Sequence, residues 1–460
     1  MHQLLCGYRI RNVHRRHWST VLVVTLIVLT LHAPASVAEF PDPVVNRGDA
    51  VATNGTAMNL PAAVEMTLNQ NPELQVYRLR DLGLAGLEKT AGLSPQFGVS
   101  ADAENFAGTG DVEGVDAAEL TLALSSVIEL GDKRQARVAA VGAQRLLIDG
   151  ERQARALDLI GEVTRRFVDV VANQARLDLA VSARVLATDV LKSVERRIDA
   201  GAAPEAERFR AKAQLAQSEL AVTEAQSRLR ASALSLSVLW GDAEPDFVRV
   251  EGSLGDPGST GEFNELYARA LRNPAIELFA SEERLREAEL QLARSQSSVD
   301  VGWSVGLRQF QDTDDTALVA GVSVPLFSSQ RNTGALQSAQ AARDEVTVRR
   351  ESALLGLRAT LFDAYQQRKL GIESAALLDA EVIPALTRAL RLTQAAYESG
   401  RYGYQEWVAA RQELISAQSA LINAQADALQ SGATIEQLTA EPLLPPLAPD
   451  ASGTEQESEQ

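Results

Sequence analysis

Residues 299–327 read VDVGWSVGLRQFQDTDDTALVAGVSVPLF, two alternating rows on either side of a polar centre. Val299, Val301, Trp303, Val305 and Leu307 alternate with Asp300, Gly302, Ser304, Gly306 and Arg308, and Leu318, Ala320, Val322, Val324 and Leu326 form the second row. A period of two is that of a strand, so the pattern predicts a hairpin with strands near 299–308 and 318–327 around the turn at 311–315. Strands of about 9 to 11 residues are what a tilted strand needs to cross a bilayer. One hairpin leaves its edges unpaired, and a membrane does not tolerate that, so further strands are required.

A weaker pair lies upstream, at 97–105 and 119–127, joined by a loop with Gly108, Gly110, Gly114 and several acids. That loop joins two strands and has no strand-to-helix phosphate setting, so a nucleotide cofactor is not expected. The remainder reads as helix. Val163, Phe167, Val170, Gln174, Leu177 and Val181 step by four and three, as a coiled-coil seam does. No proline falls between Gly131 and Pro204, which predicts a helix over 132–200, about 100 Å long. A shorter helix follows over 205–239, then a Gly- and Pro-containing stretch, 240–261, that reads as a linker.

The plan then repeats. Asn273-Pro274 answers Asn71-Pro72, the strands at 299–327 answer those at 97–127, and Val324, Phe327 and Arg331 stand where Val127, Leu130 and Arg134 stood. A second long helix is expected over 328–399, bent at Pro384, and a shorter one to about 438. The repeats therefore span 59–239 and 262–440, too long for a solenoid and consistent with internal duplication. Two short helices end to end match one long helix in length, so the helix ending at Leu239 is expected to stack on the one after Glu262, and the first helix on the last. Residues 240–261 then form an equatorial linker.

The first 38 residues carry Arg9, Arg11, Arg15 and Arg16, an apolar core from Val21 to Leu31 and a small-residue Ser36-Val37-Ala38 site, as an export signal peptide does. Residues 39–58 read as an irregular arm and 441–460 as a disordered acidic tail. All four histidines and Cys6 lie in the leader. Cys6 precedes the apolar core, so acylation is not expected. Without imidazole or thiol, the mature chain builds no Ser-His-Asp or Cys-His system and no ordinary zinc or copper site, and an enzyme is not expected. Losing four arginines takes the formal charge from −17 to about −21, which disfavours nucleic acid and favours cations.

The duplication, the strand pair in each half, the run Val127-Ile128-Glu129-Leu130-Gly131-Asp132-Lys133-Arg134, the Val324-Pro325-Leu326-Phe327 ending and the breaks at Gly201 and Gly400 resemble the TolC family of outer-membrane efflux ducts. Glu104-Asn105-Phe106, 129–134 and Leu239-Trp240-Gly241-Asp242 are similar to its CzcC-type, heavy-metal branch. The resemblance implies a mainly α fold with a membrane β-barrel: two repeats, each a β-hairpin between long coiled-coil helices, assembled as a homotrimer in the bacterial outer membrane. It implies a periplasmic membrane-fusion adaptor and an inner-membrane pump of the resistance-nodulation-division type as partners, no cofactor, and heavy-metal cations as cargo, with drug efflux or type I secretion as the alternative. A periplasmic coiled-coil scaffold without a barrel is the rival from outside that class.

The same resemblance carries residues over unevenly. Gly201 and Gly400 are each followed six residues later by an acid, Glu207 and Glu406, as the family's periplasmic entrance acids are, against the plainer reading of solvated acids in a helix's first turn. Tyr397 matches the family's gate tyrosine. The gating arginine falls on Tyr402, with Arg401 beside it, and a second pore acid falls on Ala409. Pro204, Arg401, Tyr402 and Tyr404 complete the expected tip, and Arg401, Tyr402 and Tyr404 suit an adaptor contact, Arg and Tyr being common at interface hot spots. Trp303, Val305, Leu307, Leu318 and Val322 are the expected lipid contacts.

Overall fold

A computed structural model describes residues 58–441, residues 107 and 256 excepted. The expected leader, most of the arm and the tail beyond 441 lie outside the described residues. In chain order come α1 (Leu60–Gln70), α2 (Pro72–Ala91), β1 (Gly98–Glu104), β2 (Glu119–Ile128), α3 (Lys133–Asp199), α4 (Glu205–Ser237), α5 (Phe263–Ala270), α6 (Pro274–Gln296), β3 (Val301–Phe310), β4 (Thr316–Ser323), α7 (Ser328–Arg331), α8 (Thr333–Leu377), α9 (Ile383–Glu398) and α10 (Tyr404–Thr439).

The four strands form one antiparallel meander in the order β1-β2-β3-β4. Its register sorts the side chains. Leu122, Leu307 and Leu318 stand in one row, Val99, Leu124 and Val305 in the next, and Trp303 opposite Val322 in a third. Directly paired residues share a face, so all five expected lipid contacts lie on one apolar side, with Leu318 and Val322 about three-quarters exposed. The other side carries Ser100, Asp102, Thr121, Ser125, Ser304 and Arg308. There Arg308 donates to Thr121 Oγ1 and Glu119 Oε2, each at 2.9 Å, and pairs with Glu104 at 3.0 Å. The second hairpin is displaced from the expected 299–308 and 318–327. Asp300 is drawn out of the strand to pair with Lys133, and the chain leaves the sheet before Pro325, which has no N–H for a ladder.

The run at 129–134 joins strand to helix. Glu129 takes a two-pronged pair from Arg137 (2.7 and 3.0 Å), while Lys133 Nζ meets Asp300 at 2.7 Å and so ties the first repeat to the second. Gly131 has φ +78°, and a Cβ there would fall 2.1 Å from Ser298 Oγ, so both conformation and space require glycine.

Beside the sheet the helices pack in the order α2-α3-α6-α8; towards the far end the order is α4-α3-α10 followed by α8 and α9. Two short helices therefore stack end to end, but with partners other than those expected from length alone. The end of α4 abuts the start of α2, and the end of α10 abuts the start of α6. The Asn-Pro motifs explain why. Asn71 accepts from Glu73 N at the start of α2 and donates from Nδ2 to Leu239 O at 2.7 Å. Asn273 accepts from Ala275 N at the start of α6 and donates to Gln437 O and Leu438 O at 2.9 and 3.0 Å. Each buried amide thus caps one helix and satisfies the last carbonyls of another. Proline follows because the first helical position needs no N–H.

The predicted seam on α3 is buried at Val163, Phe167, Val170 and Gln174 and only half-buried at Leu177 and Val181. The stretch 240–261 is more than a linker. Trp240, Val250 and Leu254 enter the same core as Phe167, and Phe247 stacks on Trp240. Long-helix side chains secure its backbone: Gln174 exchanges two hydrogen bonds with Val250, and Arg368 donates to Pro257 O, Ser259 O and Ala428 O. The second long helix is not continuous. It breaks at Asn332 and widens into a π-helical turn at Leu378–Val382, ahead of Pro384. Pro384 cannot donate to Ala380 O, and the extra residue in that turn absorbs the lost bond.

Asn71→Ala and Asn273→Ala should each lower the denaturation midpoint by an amount equivalent to about 2 kcal/mol, cap and carbonyl bond together. Asn→Ser, which keeps the cap and loses the donated bond, should fall between. Equal midpoints for Asn and Ala would remove the splice. At the junction, the Arg137 hydrogen bonds hold the Glu129 carboxyl below its ordinary 4.5. A lowered folded-state value stabilises above the unfolded pKa and is lost as pH falls through the folded one. Glu129→Gln should therefore lower thermal stability at pH 7, by a deficit that shrinks as pH falls below the ordinary carboxylate range; a deficit that does not shrink in acid would contradict the pairing.

Candidate functional site at the helical tip

Both long hairpins turn at the end opposite the sheet, and by the same device. Gly201 (φ +68°) and Gly400 (φ +75°) adopt the left-handed conformation just past α3 and α9. Ala202 N then reaches back to Arg197 O at 2.7 Å and Arg401 N to Ala396 O at 2.8 Å. This is the Schellman closure, and glycine meets its φ requirement without strain. Pro204 and Gly403 precede α4 and α10 in extended conformation, so each turn takes a handful of residues and the repeats end level.

Tyr397 is the centre of the tip, 1% exposed. Its hydroxyl donates to Glu207 Oε2 at 2.8 Å, which clasps α9 to α4. The Arg197 guanidinium lies 4.3 Å from the Tyr397 ring centroid, and its Nη atoms donate to Tyr397 O and Ala202 O. Trp407 packs against the other side, ring centroids 5.0 Å apart. Burial, then the bond to the Glu207 carboxylate, pushes the Tyr397 hydroxyl well above its usual range, so it remains a donor at any physiological pH. Tyr404, expected at the adaptor contact, is instead buried in the tip, and burial raises its pKa.

The expected residues are therefore brought together in part. Gly201, Pro204, Glu207, Tyr397, Gly400 and Tyr404 form the turns and the clasp. Glu406 stands exposed in the first turn of α10 and shares no hydrogen bond with Glu207 among the described residues. Arg401 and Tyr402 are exposed on the turn, Tyr402 by 52%. Three participants escaped sequence reasoning: Arg197, Trp407 and Arg411. Arg197 sits in the last turn of α3, where a cation suits the carbonyl end, and that placement was its available signal. The acids of the opposite loops, Glu113, Asp116, Asp312, Asp314 and Asp315, build no cluster able to hold a metal among the described residues; the Asp111 side chain lies outside them.

A wall of long helices, with a lipid-compatible sheet at one end and a hydrogen-bonded pair of turns at the other, suits a membrane-anchored duct. The chain belongs to the outer membrane efflux protein family, whose model matches residues 63–242 and 266–441. It is 27% identical over 323 residues to the cobalt-zinc-cadmium resistance protein CzcC of Cupriavidus metallidurans, covering 69% of this chain and 76% of that one. It is 25% identical over 292 residues to the nickel and cobalt resistance protein CnrC of the same organism, covering 61% and 68%. The crystal structure of CusC shares the fold, with a TM-score of 0.71 at 14% identity over 83% of this chain and 92% of that one. The protein is thus an outer-membrane efflux duct with a long periplasmic helical portion.

Tyr397→Phe removes the clasp and leaves the packing, and should loosen the tip. Pulsed spin-label distances between α4 and α9 should broaden relative to wild type at unchanged helicity. An unchanged distribution would show that the hydrogen bond carries no constraint.

Proposed function

We propose that the chain forms a homotrimeric duct that exports heavy-metal cations, docked through its tip turns on a periplasmic adaptor above an inner-membrane pump of the resistance-nodulation-division type. The observation that carries the cargo assignment is the relationship to two proteins named for cobalt, zinc, cadmium and nickel resistance. The trimer rests on the four-stranded sheet, whose β1 and β4 edges have no partner strand among the described residues. The strongly acidic balance suits cations: −17 for the whole chain.

In this reading Glu207 and Glu406 from three chains encircle the periplasmic entrance. Like charges held close concentrate cations and oppose one another's ionisation. The histidines and the cysteine all lie in the expected leader, so in this reading discrimination among metals belongs to pump and adaptor, and the duct is passive. Arg401 and Tyr402, exposed on the turn, are the adaptor contacts.

A deletion strain challenged separately with zinc, cobalt, cadmium, nickel, copper and organic drugs should show metal sensitivity. Sensitivity to drugs alone would replace the cargo with the drug-efflux alternative. In planar bilayers, the Glu207→Gln, Glu406→Gln double variant should lose cation preference, and unchanged selectivity would remove the acidic entrance.

A further inference from the structure

Trp407 and Arg411 stand one helical turn apart on α10, buried to 2% and 1% exposure. Trp407 packs in the apolar cluster at the tip with Tyr397, Tyr404, Ala410 and Leu414. Arg411 lies beside Tyr404, close enough for each to shift the other's proton affinity. Their buried polar atoms are all donors. The Trp407 indole N–H and Nε and Nη1 of Arg411 find no acceptor among the described residues.

Such an arrangement is costly. A guanidinium does not shed its proton in a protein, so it cannot escape burial by neutralising, and a buried charge without a partner is strongly destabilising. The fold goes further towards satisfying a comparable group elsewhere: Arg368, also fully buried, donates from its two Nη atoms to three carbonyls, and its Nε alone is left without an acceptor among the described residues. At the tip that provision is missing. The face of α10 that carries Arg411 is otherwise apolar, with Trp407, Ala410, Leu414 and Ala417, and an aliphatic residue would pack there without penalty.

We propose that Arg411 is the opening element of the tip. In the clasped arrangement its Nε and Nη1 go without acceptors among the described residues, and parting α9 and α10 from α3 and α4 brings them to water or to a carboxylate. Tyr397 and Glu207 work in the opposite sense, because their bond exists only while α4 and α9 are together. A two-state element needs terms that differ between its states, and the tip has one on each side. The inference rests on the tip being the duct's entrance.

The test compares the full chain, assembled from detergent, as wild type, Tyr397→Phe, Arg411→Met and the double variant, in planar bilayers. Tyr397→Phe should raise open-channel occupancy. Arg411→Met keeps an unbranched apolar stem, removes the buried charge, and should lower occupancy about tenfold, most plainly in the Tyr397→Phe background. If Tyr397→Phe responds and Arg411→Met conducts as well as its parent or better, Arg411 is no opening element. If neither responds, the entrance reading falls and takes the inference with it. In a second readout, with a spin label at Arg401→Cys, protomer-to-protomer distances should narrow and shorten in Arg411→Met. Longer or unchanged distances would overturn the proposal. Should Arg411→Met fail to assemble, Arg411→Gln replaces it with the same expected direction and the same overturning result.

Discussion

Four strands that face lipid on one side cannot stand alone, because β1 and β4 each present a row of backbone donors and acceptors with no partner strand in the described chain. In a bilayer such groups have nothing to bond. Closed barrels abolish edges, and small barrels need about eight strands before side chains can fill them and more before they enclose a channel, so this sheet is a segment of something larger. The rest of the molecule follows from that constraint. Apolar residues fill the outer side except at Ser126, Gln309 and Thr316, the inner side carries Arg308 with its two glutamates, and the long helices continue the wall beyond the membrane. Three copies would supply twelve strands and a helical wall of matching circumference.

Level ends are the second requirement, and duplication meets it economically. Each repeat gives one long helical run, α3 or α8 with α9, and two shorter helices, α2 and α4 or α6 and α10, that reach the same height only if they are joined end to end. Asn71 and Asn273 make the joins, each amide using its acceptor for the helix that starts and its donor for the helix that ends. The pairings cross within the chain: α4 meets α2 in the first repeat and α10 meets α6 in the second. The two repeats are thereby equivalent around the wall, and the Lys133–Asp300 pair and the β2–β3 ladder hold them side by side.

Much of this was legible in the residues. Alternation at 299–327 located the hairpin to within two residues at the start of β3, and the proline-free run between Gly131 and Pro204 located α3 almost to its ends. What was not legible depends on contacts between distant segments. Helix lengths permitted two ways of stacking, and only the Asn amide bonds decide between them. Residues 240–261 lack any period, so their packing against Phe167 and their capture by Gln174 and Arg368 left no local trace. The tip was half visible: Gly201, Gly400, Tyr397 and Glu207 through family likeness, but Arg197, Trp407 and Arg411 only through geometry, since each looks ordinary within its own helix.

We propose that copies of this chain pair one another's sheet edges in a closed assembly. Native mass spectrometry of the chain extracted from outer membranes in mild detergent should then give a single species of three chains, resistant to dilution. A monomer, or a chain recovered from the periplasm without detergent, would contradict it.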